Sequence, residues 1–115
     1  MVRAIMHGCN GKMGQMITNL AKDDKELEIV AGVDIYTGIE NTYPVFETIE
    51  KCDVEADVVI DFSNASVIDE LLNYCEKKQM PVVLCTTGLS EEQIEKTKQA
   101  AEKTAVLRSA NMSLG

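Results

Sequence analysis

The sequence predicts an α/β fold organised around a doubly wound parallel β-sheet. Short runs of β-branched and apolar residues alternate with longer segments whose apolar residues recur at helical spacing. Such alternation is typical of parallel strands joined by helical crossovers. The run at residues 56–62 (ADVVIDF) is almost continuously apolar, as expected for a strand that helices cover on both sides. In this class of fold the loops that follow the strands gather at one edge of the sheet.

Residues 2–34 have the order of a βαβ unit. An apolar run at residues 2–7 leads into a glycine turn at residues 8–14 (GCNGKMG), and a helical pattern follows. The expected buried face of this helix consists of Met13, Met16, Ile17, Leu20 and Ala21. A second apolar run at residues 29–33 ends at Asp34. The unit therefore brings the start of a helix and an acidic side chain to the same edge of the sheet.

The glycine turn is a candidate site for a dinucleotide. Backbone N–H groups at the start of a helix lack partners and carry partial positive charge, so they bind phosphates. Gly11 and Gly14 match the last two positions of the G-x-G-x-x-G pattern, whereas Cys9 stands where the first glycine is expected. Asp34 follows Gly14 at the distance where a carboxylate accepts hydrogen bonds from ribose hydroxyls. The alternative is a turn that joins strand to helix without any ligand.

The middle of the chain continues the alternation. Residues 43–46 are expected to form a short edge strand because they include a proline, and residues 47–52 a short helix or turn. After the strand at residues 56–62, Ser63 or Asn64 is a candidate cap for the next helix. The expected buried face of that helix consists of Val67, Ile68, Leu71, Leu72 and Cys75.

The last third of the chain adds two strands and one helix. The strands are expected at residues 81–85 and 105–107. Between them, Ser90 and Gln93 form a capping-box pattern that predicts a helix over residues 91–103. Its apolar face (Ile94, Thr97 and Ala101) is thin, so we expect this helix to cover an edge of the sheet. Four loops are then expected to meet at the carboxyl edge: the glycine turn, the loop at Asp34, and residues 62–64 and 86–88. Residues 109–113 are a fifth candidate.

Composition limits the partners of the chain. The 115 residues are 45% hydrophobic and 26% charged, with a formal net charge of −8, which argues against a nucleic-acid partner. No apolar run approaches the length of a membrane span, and the start of the chain lacks the form of a signal peptide. We therefore expect a cytoplasmic protein without a membrane partner.

The cysteines and the single histidine do not indicate a metal site. The four cysteines contain no C-x-x-C pair, so reduced and mostly buried thiols are expected, with no metal. His7 is expected to end the first strand without a role in chemistry, because no acid or nucleophile lies beside it in the sequence.

Four sequence blocks, spread over the whole chain, indicate a family. They are GCNGKMG at residues 8–14, DFS at residues 61–63, CTTG at residues 85–88 and SANMS at residues 109–113. In this order they resemble the nucleotide-binding domain of the dihydrodipicolinate reductase family, also called 4-hydroxy-tetrahydrodipicolinate reductases. The family patterns read approximately G-x-x-G-[RK]-M-G, D-F-[ST], G-T-T-G and [SA]-x-N-[FM]-S. Cys85 departs from them, because the family usually has glycine at that position.

The resemblance implies a Rossmann-like domain that binds NADH or NADPH. It also implies reduction of a cyclic imine dicarboxylate to tetrahydrodipicolinate in the diaminopimelate and lysine pathway. The residues that it assigns to the pyrophosphate are Gly8, Cys9, Asn10, Gly11, Lys12 and Met13, with Asp34 at the adenosine ribose. The residues that it places at the nicotinamide end are Cys85, Thr86, Thr87, Ser109, Ala110, Asn111 and Met112.

The resemblance also implies a second domain. In the family, the catalytic histidine and lysine, the groups that bind the substrate carboxylates and the tetramer interface all follow this domain. His7 matches no catalytic position. We therefore expect residues 1–115 to be the dinucleotide-binding domain of a longer homotetrameric enzyme, truncated before the substrate-binding domain and without a catalytic residue of its own. A non-catalytic NAD(P)-binding regulatory module of the same fold is the alternative.

Overall fold

Six parallel strands form one sheet in a computed structural model that describes residues 2–36, 38, 41–86 and 88–108, Arg108 by its backbone only. The strands are β1 (Val2–His7), β2 (Leu27–Val33), β3 (Val45–Phe46), β4 (Val58–Asp61), β5 (Val82–Leu84) and β6 (Val106–Arg108). Their order is β3-β2-β1-β4-β5-β6. The sequence of strands therefore reverses between β1 and β4, and the prediction of a doubly wound parallel sheet is confirmed.

Three α-helices connect strands within the described ranges: α1 (Lys12–Lys22), α2 (Ile68–Lys78) and α3 (Glu91–Ala101). Two short 3-10 helices occupy Ile49–Lys51 and Ala65–Val67. The element boundaries follow the sequence expectations to within two residues. β2 begins two residues earlier than expected, β3 and β4 begin two residues later, and α3 ends two residues earlier. The capping box at Ser90 and Gln93 is present with both of its hydrogen bonds.

The sheet has a core on each face. Ile5 and Met6, adjacent on β1, point to opposite faces. The Ile5 face packs against α2 and α3 and forms the larger core, which includes Ile68 and Leu71. The Met6 face packs against α1 and holds a smaller core. Helix α3 also contacts β6, the edge strand, as its thin apolar face predicts.

The predicted buried face of α1 is confirmed at Ala21 but wrong at Met13, Met16 and Leu20. The buried residues of this helix are Gly14, Thr18 and Ala21, whereas Met13, Met16 and Leu20 are 42%, 53% and 66% exposed; Ile17 is half-buried. The cause is the close approach of α1 to the glycine turn, which only small residues allow.

Gly14 illustrates this close approach. A Cβ atom at this position would lie 2.7 Å from the Cα of Cys9 and would also collide with the carbonyl oxygen of Gly8. One turn later, Thr18 is buried with its hydroxyl 2.8 Å from the Gly14 carbonyl oxygen and 2.8 Å from the hydroxyl of Tyr43. The packing face of α1 is therefore small and partly polar.

The other two helices match their predictions more closely. In α2 the expected residues Ile68, Leu71, Leu72 and Cys75 are buried together with Tyr74, while Val67 is half-buried. In α3, Thr97 is buried as expected, but Ala100 takes the place of Ala101, which is exposed.

The cap assignment after β4 is resolved in favour of Asn64. The Asn64 side chain accepts a hydrogen bond from the Ser66 backbone and starts the 3-10 helix that leads into α2. Among the described helices, none combines the length and the apolar composition that a membrane crossing requires.

Candidate functional site

A cavity of about 350 Å³ lies at the carboxyl edge of the sheet, where the strand order reverses. Three of the loops predicted to meet there contribute to its wall. The residues concerned are Gly8 and Gly11 of the glycine turn, Asp34 after β2, and Phe62, Ser63 and Asn64 after β4. The position agrees with the general rule that ligands of doubly wound sheets bind at the switch point.

Gly8 cannot be replaced by another residue without strain. Its φ angle is 87°, a left-handed conformation that favours glycine. A Cβ atom at this position would also lie 2.5 Å from the carbonyl oxygen of Phe62. Gly8 therefore allows the turn to pass close to the loop after β4.

Most backbone N–H groups of the glycine turn have partners within the protein. The N–H groups of Gly8 and Cys9 donate to the carbonyl oxygen of Val33, over 2.7 and 3.3 Å. The Gly11 N–H donates to the carbonyl oxygen of Gly8 over 3.2 Å, and the Asn10 N–H donates to a carboxylate oxygen of Asp34 over 3.0 Å. The turn is thus a closed hydrogen-bonded structure.

The first N–H groups of α1 are different. Gly11 is the N-cap and has no side chain that could cap the helix. Among the described residues no acceptor is found for the backbone N–H groups of Lys12 and Met13, and these groups carry the positive end of the helix dipole.

The buried side chains of Cys9 and Asn10 stabilise the turn from the protein interior. Cys9 is fully buried, and its burial, together with the charge of Asp34, raises the pKa of the thiol to about 11. The Asn10 amide donates to the carbonyl oxygen of Tyr36 and accepts from Asn41 over 2.8 Å. Neither side chain lines the cavity, so both act through the shape of the turn.

Asp34 faces the cavity while it holds the turn. One carboxylate oxygen accepts from the Asn10 N–H and the other from the Tyr36 N–H over 2.9 Å. Each carboxylate oxygen has acceptor capacity for a second donor. The half-buried carboxylate therefore remains able to accept from hydroxyl groups in the cavity.

A buried polar cluster at the ends of β1 and β4 was not predicted from the sequence. The register pairs His7 with Asp61, and the two side chains are 3% and 0% exposed. His7 Nδ1 lies 2.7 Å from Asp61 Oδ1 and 3.1 Å from the Ser63 hydroxyl. Asp61 also accepts from the Ser63 N–H over 3.2 Å and from the hydroxyl groups of Ser63 and Thr86.

The hydrogen bonds keep Asp61 ionised. Burial alone would raise the pKa of its carboxyl group, but the hydrogen bond and charge of His7, with the hydroxyl groups of Ser63 and Thr86, outweigh burial and hold the pKa below its usual value. Because an ionised carboxylate only accepts hydrogen bonds, Nδ1 of His7 carries the proton in this contact. The cluster therefore fixes both the orientation and the tautomer of His7.

The predicted nicotinamide-side residues are only partly described. Thr86 is buried, and its hydroxyl also accepts from the Ser63 N–H over 3.1 Å. Cys85 is half-buried, and its N–H donates to the carbonyl oxygen of Asp61 over 3.0 Å. Neither lines the cavity. Thr87, Ser109, Ala110, Asn111 and Met112 lie outside the described residues.

No metal centre or disulfide is found in the part of the chain that the structure describes. Its histidine, cysteine, aspartate and glutamate side chains do not gather into a group of three or more that could hold a metal ion. Cys9, Cys52 and Cys75 are buried thiols without a disulfide.

Comparison with known proteins agrees with the fold and the sequence blocks. The family described as "Dihydrodipicolinate reductase, N-terminus" matches residues 2–112. The chain is 47% identical over its whole length to the 4-hydroxy-tetrahydrodipicolinate reductase of Clostridium tetani, and 48% identical to that of Caldanaerobacter subterraneus subsp. tengcongensis. In both cases it spans 45% of the relative.

A solved structure shares the fold. It is a dipicolinate-bound dihydrodipicolinate reductase from Paenisporosarcina sp. TG-14, with a TM-score of 0.82 and 24% sequence identity. The comparison covers 99% of this chain and 49% of that one. Since the family match spans nearly the whole chain, this protein belongs to the dihydrodipicolinate reductase family as its N-terminal, NAD(P)-binding domain.

Proposed function

We propose that this chain is the cofactor-binding half of a 4-hydroxy-tetrahydrodipicolinate reductase. The names of the relatives support this reaction, in which a cyclic imine dicarboxylate is reduced to tetrahydrodipicolinate for diaminopimelate and lysine synthesis. The chain spans less than half the length of those relatives, so the activity belongs to the longer protein. The observation that carries the proposal is the uncapped start of α1 beside a cavity that Asp34 lines.

The start of α1 binds the cofactor diphosphate. The N–H groups of Lys12 and Met13 belong to the first turn of α1, where N–H groups point out of the N-terminus and carry the positive end of the helix dipole. This is the arrangement that holds phosphates in proteins. Gly11 leaves room for the ligand, because a Cβ atom at this position would meet only the Gly8 carbonyl oxygen, 3.5 Å away. Gly8, Cys9 and Asn10 contribute by setting the shape of the turn.

The nicotinamide end is assigned from the resemblance. The bound cofactor supplies the hydride, and the loops at Cys85, Thr86 and Thr87 and at residues 109–112 hold its nicotinamide ring. Thr86 acts through the position of its loop, because its hydroxyl is committed to Asp61. The cyclic dicarboxylate substrate binds mainly to the second domain. We further propose that the longer protein is a cytoplasmic homotetramer that binds neither nucleic acid nor membranes.

A pair of glycine variants tests the role of the turn. Gly11→Val should keep the fold, because its Cβ would make only an ordinary van der Waals contact, 3.5 Å from the Gly8 carbonyl oxygen. It should weaken NADH binding by at least about tenfold by filling the phosphate site. Gly14→Val should lose thermal stability as well, because its Cβ collides with Cys9. NADH fluorescence titrations and thermal melts separate the two variants. Equal loss of stability in both variants, or unchanged binding by Gly11→Val, would contradict the proposal.

The chain should bind NADH at least as tightly as NADPH. Asp34 accepts from the ribose diol and repels a 2′-phosphate, and the neighbours Ile35 and Tyr36 carry no charge to neutralise it. Lys12 is exposed and belongs to the glycine turn, from which its side chain swings toward a 2′-phosphate and keeps NADPH usable. Titration of both cofactors at low salt checks this, with Lys12→Ala expected to weaken NADPH binding more than NADH binding. NADPH binding more than about tenfold tighter, roughly 1.4 kcal/mol, would contradict it.

A further inference from the structure

His7 lines the cavity, and none of the roles described so far uses its free ring nitrogen. We propose that His7 is the pH-sensitive contact to the bound cofactor: its protonated ring donates Nε2–H to an oxygen of the cofactor and strengthens binding as the pH falls. This inference rests on the proposed function, because it requires that the cavity binds an anionic dinucleotide.

The two ring nitrogens of His7 have different surroundings. Nδ1 is held 2.7 Å from Asp61 Oδ1, and it carries the proton whether or not the ring is charged. Nε2 therefore changes on protonation, from an acceptor in the neutral ring to a donor in the charged ring. Within the described residues Nε2 has no hydrogen-bond partner. A diphosphate offers only acceptors, so only the protonated ring provides a favourable contact to it.

The cavity wall around His7 is acidic. Its other ionisable side chains are Asp34 at the end of β2, Glu47 after β3 and Glu70 on α2. No lysine or arginine is among the described residues that form this wall. Among the described residues of the wall, His7 is thus the one group that can become a cation. Its protonation also compensates the buried charge of Asp61, which faces it from β4.

Neighbouring groups do not account for a charge change near neutral pH. Burial and Asp34 raise the pKa of Cys9 to about 11, and burial and Asp61 raise that of Cys75 on α2 to about 12. Both thiols are therefore neutral below about pH 9. Histidine is the side chain whose ordinary titration falls between about pH 5 and 8.

The single histidine of the chain allows a direct test without any variant. The untagged protein has one imidazole signal in the NMR spectrum, and its titration is followed with and without saturating NADH. We expect NADH to raise the titration midpoint by about one unit, equivalent to about tenfold tighter binding to the protonated form. The same midpoint with and without bound NADH would overturn the inference alone. Absence of NADH binding at every pH would overturn the proposed function with it.

Two variants provide the second test. His7→Asn keeps an amide donor where Nδ1 meets Asp61 but has no counterpart of Nε2, and His7→Gln extends further with a group that does not titrate. Between about pH 5.5 and 8.5, the dissociation constant for NADH should rise about tenfold in the wild type and remain flat in both variants. Thermal melts confirm that each variant is folded. If the NADH dissociation constant changed with pH by the same factor in the wild type and in both variants, His7 would be excluded as the titrating group.

Discussion

Asp61 is the residue on which the carboxyl edge of the sheet depends most. Its fully buried carboxylate accepts from His7, from the backbone and hydroxyl of Ser63 and from the hydroxyl of Thr86. These donors come from the ends of three neighbouring strands, β1, β4 and β5. An ionised group at this depth is tolerated only because its oxygens are satisfied. Asp61 therefore joins the loop after β4 to the predicted nicotinamide loop.

The substitution Asp61→Asn should destabilise the protein by about 1–3 kcal/mol at pH 7, because an amide cannot accept from all of these donors. The pKa of Asp61 is lowered in the folded protein from 3.8. Its charge therefore contributes stability above about pH 4, and this contribution is lost as the pH falls through the lower folded value. Urea unfolding at several pH values should show the difference between wild type and variant shrinking below about pH 4.

The exposed residue Asp53 provides a control for this experiment. Asp53→Asn should change the unfolding free energy by less than about 0.5 kcal/mol at pH 7. A difference between wild type and Asp61→Asn that stayed constant down to pH 3 would show that the charge of Asp61 does not contribute to stability.

At the scale of elements, α1 and α2 pack by different means. Helix α2 buries large aliphatic side chains such as Leu71 in the larger core. Helix α1 instead packs through Gly14, Thr18 and Ala21 and leaves Leu20 66% exposed. The stability of the α1 side therefore depends on close backbone contact, and that of the α2 side on apolar area removed from water.

The same substitution in the two helices distinguishes these modes. Leu71→Ala should cost about 2–5 kcal/mol, because it leaves a cavity in a close-packed core. Leu20→Ala should change stability by less than about 0.5 kcal/mol, because the side chain is largely in water already. Urea denaturation of both variants measures the difference. A cost above 1 kcal/mol for Leu20→Ala would mean that the sequence-predicted face of α1 is the one that packs.

The sequence located the elements well because strands, caps and turns leave local signals. It failed on the face of α1 because two stripes share the same helical spacing. Apolar character favours the stripe with Met13, Met16 and Leu20, whereas the close approach of the glycine turn selects Gly14 and its neighbours. That approach is a tertiary contact, and hydrophobic periodicity does not report it.

In the candidate site, the part that lies within one local unit was predictable from the sequence, and the contact between distant strands was not. The glycine turn and Asp34 lie within one local βαβ unit, and Gly8, Gly11 and Asp34 line the cavity, whereas Lys12 and Met13 do not. The pair of His7 and Asp61 is separated by 54 residues and depends on the pairing of β1 with β4. A signal was present, since each residue ends a strand next to the switch point. Using it requires the strand order, which sequence alone leaves open.

For the whole molecule, the acidic charge limits what the domain does alone. The chain has a formal net charge of −8, and the described cavity wall carries three carboxylates without lysine or arginine. Apart from His7, no described side chain of this wall attracts a dicarboxylate substrate, and a single imidazole does not hold two carboxylates. The hydride donor and the substrate anchor are therefore expected on different domains of the longer protein.

The 115-residue chain should consequently bind NAD(P)H weakly and turn over no substrate. Binding is weak because closure of a second domain over the cofactor is absent. The assay follows the absorbance of the reduced nicotinamide with freshly generated substrate, alongside fluorescence titration of the cofactor. Measurable turnover by this chain would contradict the assignment of hydride donor and substrate anchor to different domains. Turnover by the full-length protein separates the reductase from the alternative of a regulatory module.

The central claim is that the uncapped start of α1 holds the cofactor diphosphate opposite Asp34. Backbone amide NMR of the chain during titration with NADH tests it most directly, with adenosine as the matched ligand that lacks phosphate. We expect the largest shifts at the N–H groups of Lys12 and Met13 with NADH, and shifts near Asp34 with both ligands. Shifts with NADH that leave Lys12 and Met13 unchanged would contradict the claim.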